Sequence, residues 1–338
     1  MGDCGRRAST KKIKIMFLKK SVYILIIVLI VCAGMVFYFW KKAESIKIEE
    51  IPPPPSWIED KEAAETLTIV ITPFEDPKEL YERWKPLRDY LNEKLREKFG
   101  LKIKLKVATE YRSAINEVGL GVADLAILPP LAYVEARRSF CVRPLVTVVS
   151  GEGNRCLLVA RKEAPISSIS DIKRKSFAYA DEKSLCGSLI PHKWMKENNI
   201  VYNTDLGAVK YFSNYNEVLQ ALISGRYDVG GVKESTFKRA NPPNLKIVAR
   251  SDPLPDLLIV ATFDLEKDIV EEIIKNLTEM DAKIIKQIDP DYTGWKRAED
   301  KDYDVIREMA KNIHGLDYYL PTPDFCAIKP KCKLAPKK

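Results

Sequence analysis

Residues 111–133 read YRSAINEVGLGVADLAILPPLAY, and residues 215–237 read YNEVLQALISGRYDVGGVKESTF. Laid over one another without a gap, they place Tyr111 on Tyr215, Ile115 on Leu219 and Val118 on Leu222. Gly121 then falls on Gly225, Asp124 on Asp228 and Tyr133 on Phe237. Each copy predicts an amphipathic helix, a glycine stop, a G-x-x-D turn, a buried strand (125–128 and 229–232), a loop and a new helix. Any α/β unit yields helix, glycine and strand. The shared aspartate and the shared aromatic are what point to two related lobes.

The flanks continue the pattern. Residues 67–72, LTIVIT, form a short β-branched run and predict a buried strand. Asp76-Pro77 supplies an N-cap and a first-turn proline. The helix that follows carries Leu80, Trp84, Leu87, Leu91 and Leu95 on one stripe, with a kink expected at Pro86 and a stop at Gly100. Residues 102–107 alternate lysine with Ile103, Leu105 and Val107, a second strand. Runs 145–149 and 156–160 flank Gly151-Glu152-Gly153 and predict a hairpin. Strands and helices alternate to about 263, and helices follow near 265–281 and 301–313. This is an α/β class with two lobes and a central cleft. In open α/β sheets ligands sit beyond the carboxyl ends of the strands. The loops expected to line the cleft are therefore 72–75, 129–133, 180–187, 212–216 and 233–234.

Composition narrows the function. The chain has 338 residues, 46% of them hydrophobic and 30% charged, enough for two cores and too ordered a mixture for a disordered chain. Its net charge is +8, yet residues 1–42 hold nine Lys/Arg and one acid, so the whole excess lies there. The remainder is balanced, and a nucleic-acid partner is not implied. Residues 21–40, SVYILIIVLIVCAGMVFYFW, contain no charge and span about 30 Å as a helix. Seven bases precede this run and two follow it, which places the N-terminus in the cytoplasm and the body outside. The rivals are a signal peptide cleaved near Cys32 and a lipoprotein at the same cysteine. The apolar run exceeds a usual signal core, and Val31 is bulky before a lipidated cysteine, so an uncleaved anchor is expected. The expected organisation is a basic cytoplasmic tail (1–20), a transmembrane anchor (21–40) and a tether (41–65) stiffened by four prolines, 52–55. The first part of lobe 1 (66–162), lobe 2 (163–260) and a lobe 1 completion with C-terminal helices (261–338) follow.

The exported part holds five cysteines, Cys141, Cys156, Cys186, Cys326 and Cys332, so at least one is unpaired within the chain. Cys326 and Cys332 are near enough to close a short loop; Cys141 and Cys156 read as small buried hydrophobes. There is no CxxC, and His192 and His314 are the only histidines. No metal and no cofactor is expected.

Residues 68–95, TIVITPFEDPKELYERWKPLRDYLNEKL, the stretch VATEYRSAINEVGLGVADLAILPPLAYVEA, and the later FAYADEKSLCGSLIP and SGRYDVGGVKES resemble the phosphate, phosphite and phosphonate substrate-binding proteins of ABC transporters. The resemblance runs in order from about 67 to 281. It implies a type II periplasmic-binding-protein fold, a small oxyanion ligand, and a permease and an ATPase as partners; the chain has no Walker A motif of its own. It implies no enzymatic activity. Ser184, Leu185, Cys186 and Gly187 match the family's anion loop, ahead of a helix whose free N–H groups favour an oxyanion. An ordinary serine cap is the plainer reading of Ser184. The family usually shows Ser-Thr-Ser-Gly here, so Leu185 and Cys186 replace two hydroxyl residues. Asn216 stands where members carry a histidine, and Lys233, followed by Glu234, where an aspartate is common. Tyr111 and Tyr133 match cleft aromatics, although both also suit a core. Two other functions compete with oxyanion import. One is an anchored sensing or accessory domain with a changed ligand. The other is an enzyme using Cys186 as a thiolate at a helix start, with His192 six residues on.

Overall fold

Side-chain chemistry sets where the first long helix begins. Asp76 accepts hydrogen bonds from the N–H groups of Lys78 and Glu79, Pro77 opens the helix, and Gly100 ends it at φ 70°. The computed structural model describes residues 65–151, 153–319 and 326. In chain order the elements are β1 (Thr66–Ile71), α1 (Pro77–Phe99), β2 (Lys102–Val107), α2 (Tyr111–Gly119), β3 (Leu125–Leu128), α3 (Pro130–Phe140) and β4 (Arg143–Ser150). Then come β5 (Cys156–Arg161), β6 (Phe177–Tyr179), α4 (Ile190–Glu197), β7 (Val209–Tyr211), α5 (Tyr215–Ile223), β8 (Val229–Lys233), α6 (Glu234–Ala240) and β9 (Leu245–Arg250). The chain closes with β10 (Leu258–Ala261), α7 (Lys267–Thr278), α8 (Ala282–Ile288), β11 (Tyr292–Arg297) and α9 (Asp304–His314).

Two sheets result. The first has strand order β11-β4-β10-β3-β1-β2, the second β7-β6-β8-β5-β9. In the first, β1 runs parallel to β2 and β3, and β10 lies antiparallel between β3 and β4. In the second, β6 is parallel to β7 and β8, while β5 is antiparallel to β8 and β9. The α1 stripe is buried as expected: Leu80, Trp84, Leu87, Leu91 and Leu95 all face the core, and the helix runs through Pro86. At about 1.5–3 kcal/mol per buried large apolar side chain, this stripe is a main anchor of the first lobe.

The two halves of the repeat match in detail. Both helices span nine residues, and Gly121 and Gly225 both adopt positive φ, 71° and 72°. The shared aspartates do the same work. An Asp124 carboxylate oxygen accepts the Thr68 N–H at 2.7 Å, and an Asp228 oxygen accepts the Ser176 N–H at 3.1 Å. Each ties the turn to the start of its lobe's neighbouring strand.

Several expectations need correction. Strands β4 and β5 do not form a hairpin. Strand β4 pairs with β10 and β11 in the first sheet, and β5 with β8 and β9 in the second. The chain therefore crosses between sheets at 151–155, ahead of the expected lobe break at 162. It returns at 251–257, just ahead of the expected break at 260. The two crossings lie side by side, with the Leu254 N–H donating to the Asn154 carbonyl at 2.8 Å. The region after 263 contains an edge strand, β11, between its helices.

The cysteines also differ from expectation. Cys141 is joined to Cys326, 185 residues away, and Cys156 to Cys186. Cys326 therefore does not close a short loop with Cys332, which lies outside the described residues. The basic tail, the anchor and, apart from Glu65, the tether also lie outside them. Among the described residues no helix is long and apolar enough to cross a membrane.

Candidate ligand site between the lobes

Strand β6 ends in the turn 181–184, and a five-residue π-helical turn, Leu185–Leu189, leads directly into α4. Ser184 caps this start. Its Oγ accepts the Gly187 N–H at 3.0 Å and donates to the Tyr215 hydroxyl at 2.9 Å. The Tyr215 oxygen lies at this helix start, bonded to Ser184. It thus occupies the place at the positive helix end where an acceptor oxygen is favoured. Burial pushes the Tyr215 phenol above its ordinary range, while the bond from Ser184 pulls the other way. Tyr111, its repeat partner from the first lobe, is fully buried nearby. Ser184 and Tyr215 both influence the Tyr111 phenol, whose pKa burial drives well up, yet no hydrogen bond of good geometry completes the Tyr111 hydroxyl.

Gly187 has a packing reason to be glycine. A Cβ there would stand 2.2 Å from Ala180 Cβ, so the turn presses against the end of β6. Leu185, Cys186, Tyr215 and Lys233 from the second lobe face Phe74 and the Pro129-Pro130 loop from the first across a cavity of about 10 Å³. That is about the room one water needs. The lobes touch here directly: the Tyr215 N–H donates to the Phe74 carbonyl at 3.1 Å, and the Asp76 N–H to Asn216 Oδ1 at 3.3 Å.

The other expected site residues are engaged elsewhere. Lys233 Nζ lies 2.7 Å from Asp256 Oδ1, and both are buried. Burial opposes the charge on Lys233, but the Asp256 carboxylate outweighs it and holds the ammonium above the ordinary lysine range. Glu234 takes two hydrogen bonds from Arg250, at 2.8 and 2.7 Å, both within the second lobe. Tyr133 donates to Asp300 at 2.5 Å and meets Tyr303 edge-on at 4.7 Å between centroids, inside the first lobe. Cys186 is oxidised to the disulfide with Cys156, so this form has no thiolate at the helix start. Among the described residues no group of three or more His, Cys, Asp or Glu is placed to hold a metal ion.

Three features were not singled out from the sequence. Tyr215 was legible in principle, because the repeat places it on Tyr111. Asn154 and Asp256 lie in the two crossings and carry no local motif. The third is a charged clasp. Glu75 of the first lobe accepts from Thr236 and Arg239 of the second and from Arg83 of α1, and Arg239 also reaches Asp289 at 3.0 Å.

Comparison with known proteins agrees with this architecture. The protein "Phosphate-import protein PhnD" of Mycolicibacterium smegmatis is 23% identical over 239 residues, covering 65% of this chain and 73% of that protein. A solved binding-protein component of an ABC phosphonate transporter from Pseudomonas aeruginosa superposes with TM-score 0.67 at 18% identity, covering 73% of this chain and 85% of its own. PhnD1 from Prochlorococcus marinus, solved with methylphosphonate, also gives TM-score 0.67, at 19% identity over 75% of this chain and 100% of its own. The family described as "ABC transporter, phosphonate, periplasmic substrate-binding protein" matches residues 69–303. The chain belongs to that family of ABC-transporter substrate-binding proteins.

Proposed function

We propose that this chain is an extracytoplasmic solute receptor, tethered to the membrane through residues 21–40, that delivers a small oxyanion of the phosphate, phosphite or phosphonate type to an ABC permease and its ATPase. One observation carries the oxyanion reading. The Tyr215 oxygen is held by the Ser184 hydroxyl at a helix start, where donors also suit an anion oxygen, beside the uncompleted hydroxyl of Tyr111. The seat is an acceptor seat, filled by a phenol oxygen while the lobes are together. Ligand entry requires the lobes to part and Tyr215 to swing out; closure then follows the two-state logic of hinged binding proteins. No chemical step is needed.

Calorimetric titration of the ligand-free full chain in detergent with phosphate, phosphite, methylphosphonate and sulfate tests the ligand. Saturable binding of at least one, weakened about tenfold in Tyr111→Phe, supports the reading. Heat-silence with all four defeats it. Retention in the membrane fraction through an alkaline wash, with residues 1–20 still present by mass, tests the anchor.

A second reading, a sensing or accessory domain on the same membrane tether, draws support from the committed charges. Lys233 is neutralised by Asp256, and the 184–187 turn is fastened by the Cys156–Cys186 bond. Silence with all four anions in a well-folded protein favours it.

A further inference from the structure

The last helix does not stay on the first lobe. Helix α9 starts there. Arg307, 2% exposed, donates to the Asp300 carbonyl at 3.0 Å and to Asp304 at 2.6 Å, and Asp300 also accepts from Tyr133 of α3. The other end of α9 lies on the second lobe. His314 Nε2 is 3.3 Å from Nδ1 of His192 in α4. Lys196 of α4 donates to the Asn312 carbonyl, at the helix end where a cation is favoured. Gly315 then turns the chain at φ 69°, and the buried Tyr318 comes back to the first lobe, its hydroxyl 3.5 Å from Glu135 of α3. The same Glu135 oxygen is 2.8 Å from Lys183 Nζ, in the second lobe's turn just ahead of Ser184. Cys326 is bonded to Cys141, the residue that ends α3.

The C-terminal chain is thus fastened to the first lobe at Arg307 and at Cys326, and between them it meets α4 and sits beside the 181–184 turn. Those are the two elements that flank the Ser184 seat. We propose that α9 and residues 315–319 form a strap that holds the lobes together, with the first lobe as its base and the seat's own turn and helix as its catch. The His314, Asn312 and Lys183 contacts exist only while the lobes are together, so each shifts the balance towards the joined form by its own free energy. The bond to Cys141 keeps the catch within reach after it slips, because refastening stays intramolecular. The strap must leave α4 before Tyr215 can leave its seat. This inference rests on the lobes parting, as proposed above, and not on the ligand; heat-silence with all four anions leaves it standing.

The test is double electron–electron resonance on the full chain in detergent, dialysed and with no anion ligand added. Nitroxides are carried by unnatural amino acids at Leu120 and Glu163, exposed on the first and second lobes, so that the cysteines stay intact. The wild type should give one short interlobe distance. Joining His314→Ala to Lys183→Ala should add a longer population, larger than in either single variant. Cys141→Ser should add it too, since it frees the far end of the strap whatever Cys326 then pairs with. Wild-type distances in all of these variants overturn the proposal, and so does a wild type whose lobes are already parted. If a His314 variant does not fold, Lys183→Ala and Cys141→Ser decide the matter.

Discussion

Cys186, in the turn that opens the second lobe's helix, is bonded to Cys156 at the start of β5, with their Cα atoms 4.8 Å apart. The turn carrying the acceptor seat is therefore fixed covalently to the strand that leaves the first crossing. Loop closure over 30 residues corresponds to about 3–4 kcal/mol of chain entropy removed from the unfolded state. The double variant Cys156→Ala, Cys186→Ala should lose stability of that order in urea unfolding. Peptide mapping without reduction should recover Cys156 with Cys186 and Cys141 with Cys326. Finding Cys326 joined to Cys332 instead would refute the pairing.

Glu75 of the first lobe and Arg239 of the second join the lobes directly. Glu75 is 2% exposed, and its carboxylate also accepts from Thr236 and Arg83. Removing Arg239 leaves that carboxylate short of one partner. Because a third of the Arg239 side chain is exposed, we expect a loss below the usual buried-pair range, about 1–3 kcal/mol. The more telling consequence is conformational. Arg239→Ala should shift the population towards parted lobes, seen as a larger radius of gyration in X-ray scattering. An unchanged radius would show that the clasp does not hold the lobes together.

The lobe architecture was legible because it rests on local periodicities and turn glycines, which a sequence displays directly. The spacing from Tyr111 to Gly121 to Asp124, repeated at Tyr215, Gly225 and Asp228, marks the same helix, turn and strand in both lobes. Much of the site was hidden because its partners are distant in sequence. Nothing near Lys233 announces Asp256, and nothing near Cys141 announces Cys326. The 145–160 segment misled for a related reason. A glycine turn between two apolar runs looks the same whether the chain reverses or crosses to another sheet, and only the partners of β4 and β5 decide.

Lys233 and Asp256 test whether the pair is structural. Both are nearly inaccessible, at 7% and 6%. Losing either one alone strands the other charge, and each of Lys233→Met and Asp256→Asn should destabilise by about 3–5 kcal/mol. The double variant should recover much of that loss, because it leaves no unpaired charge behind. Urea unfolding of the three variants reads the coupling directly. Additive losses would mean that the two side chains act independently.

The chain's two histidines meet each other. His192 of α4 and His314 at the end of α9 place Nδ1 and Nε2 3.3 Å apart, with His192 between the rings of Tyr179 and Tyr202. Burial, and secondarily His314, lowers the His192 pKa to about 3. His314 is also lowered, by burial first and then by Lys183, with Glu182 opposing. In the unfolded chain a histidine takes up its proton near pH 6.5. Below that pH the unfolded state binds a proton that folded His192 refuses, so stability is whole above 6.5 and falls as the pH drops towards 3. From pH 7 to 5 this amounts to about 2 kcal/mol for His192. Carboxylates add their own slope in this range, so the comparison that isolates the histidine is with His192→Phe, which keeps an aromatic ring among the tyrosines. Its urea midpoint should decline less steeply between pH 7 and 5 than that of the wild type. Parallel declines would mean that His192 is protonated in the folded protein, and that its contact with His314 tolerates the charge.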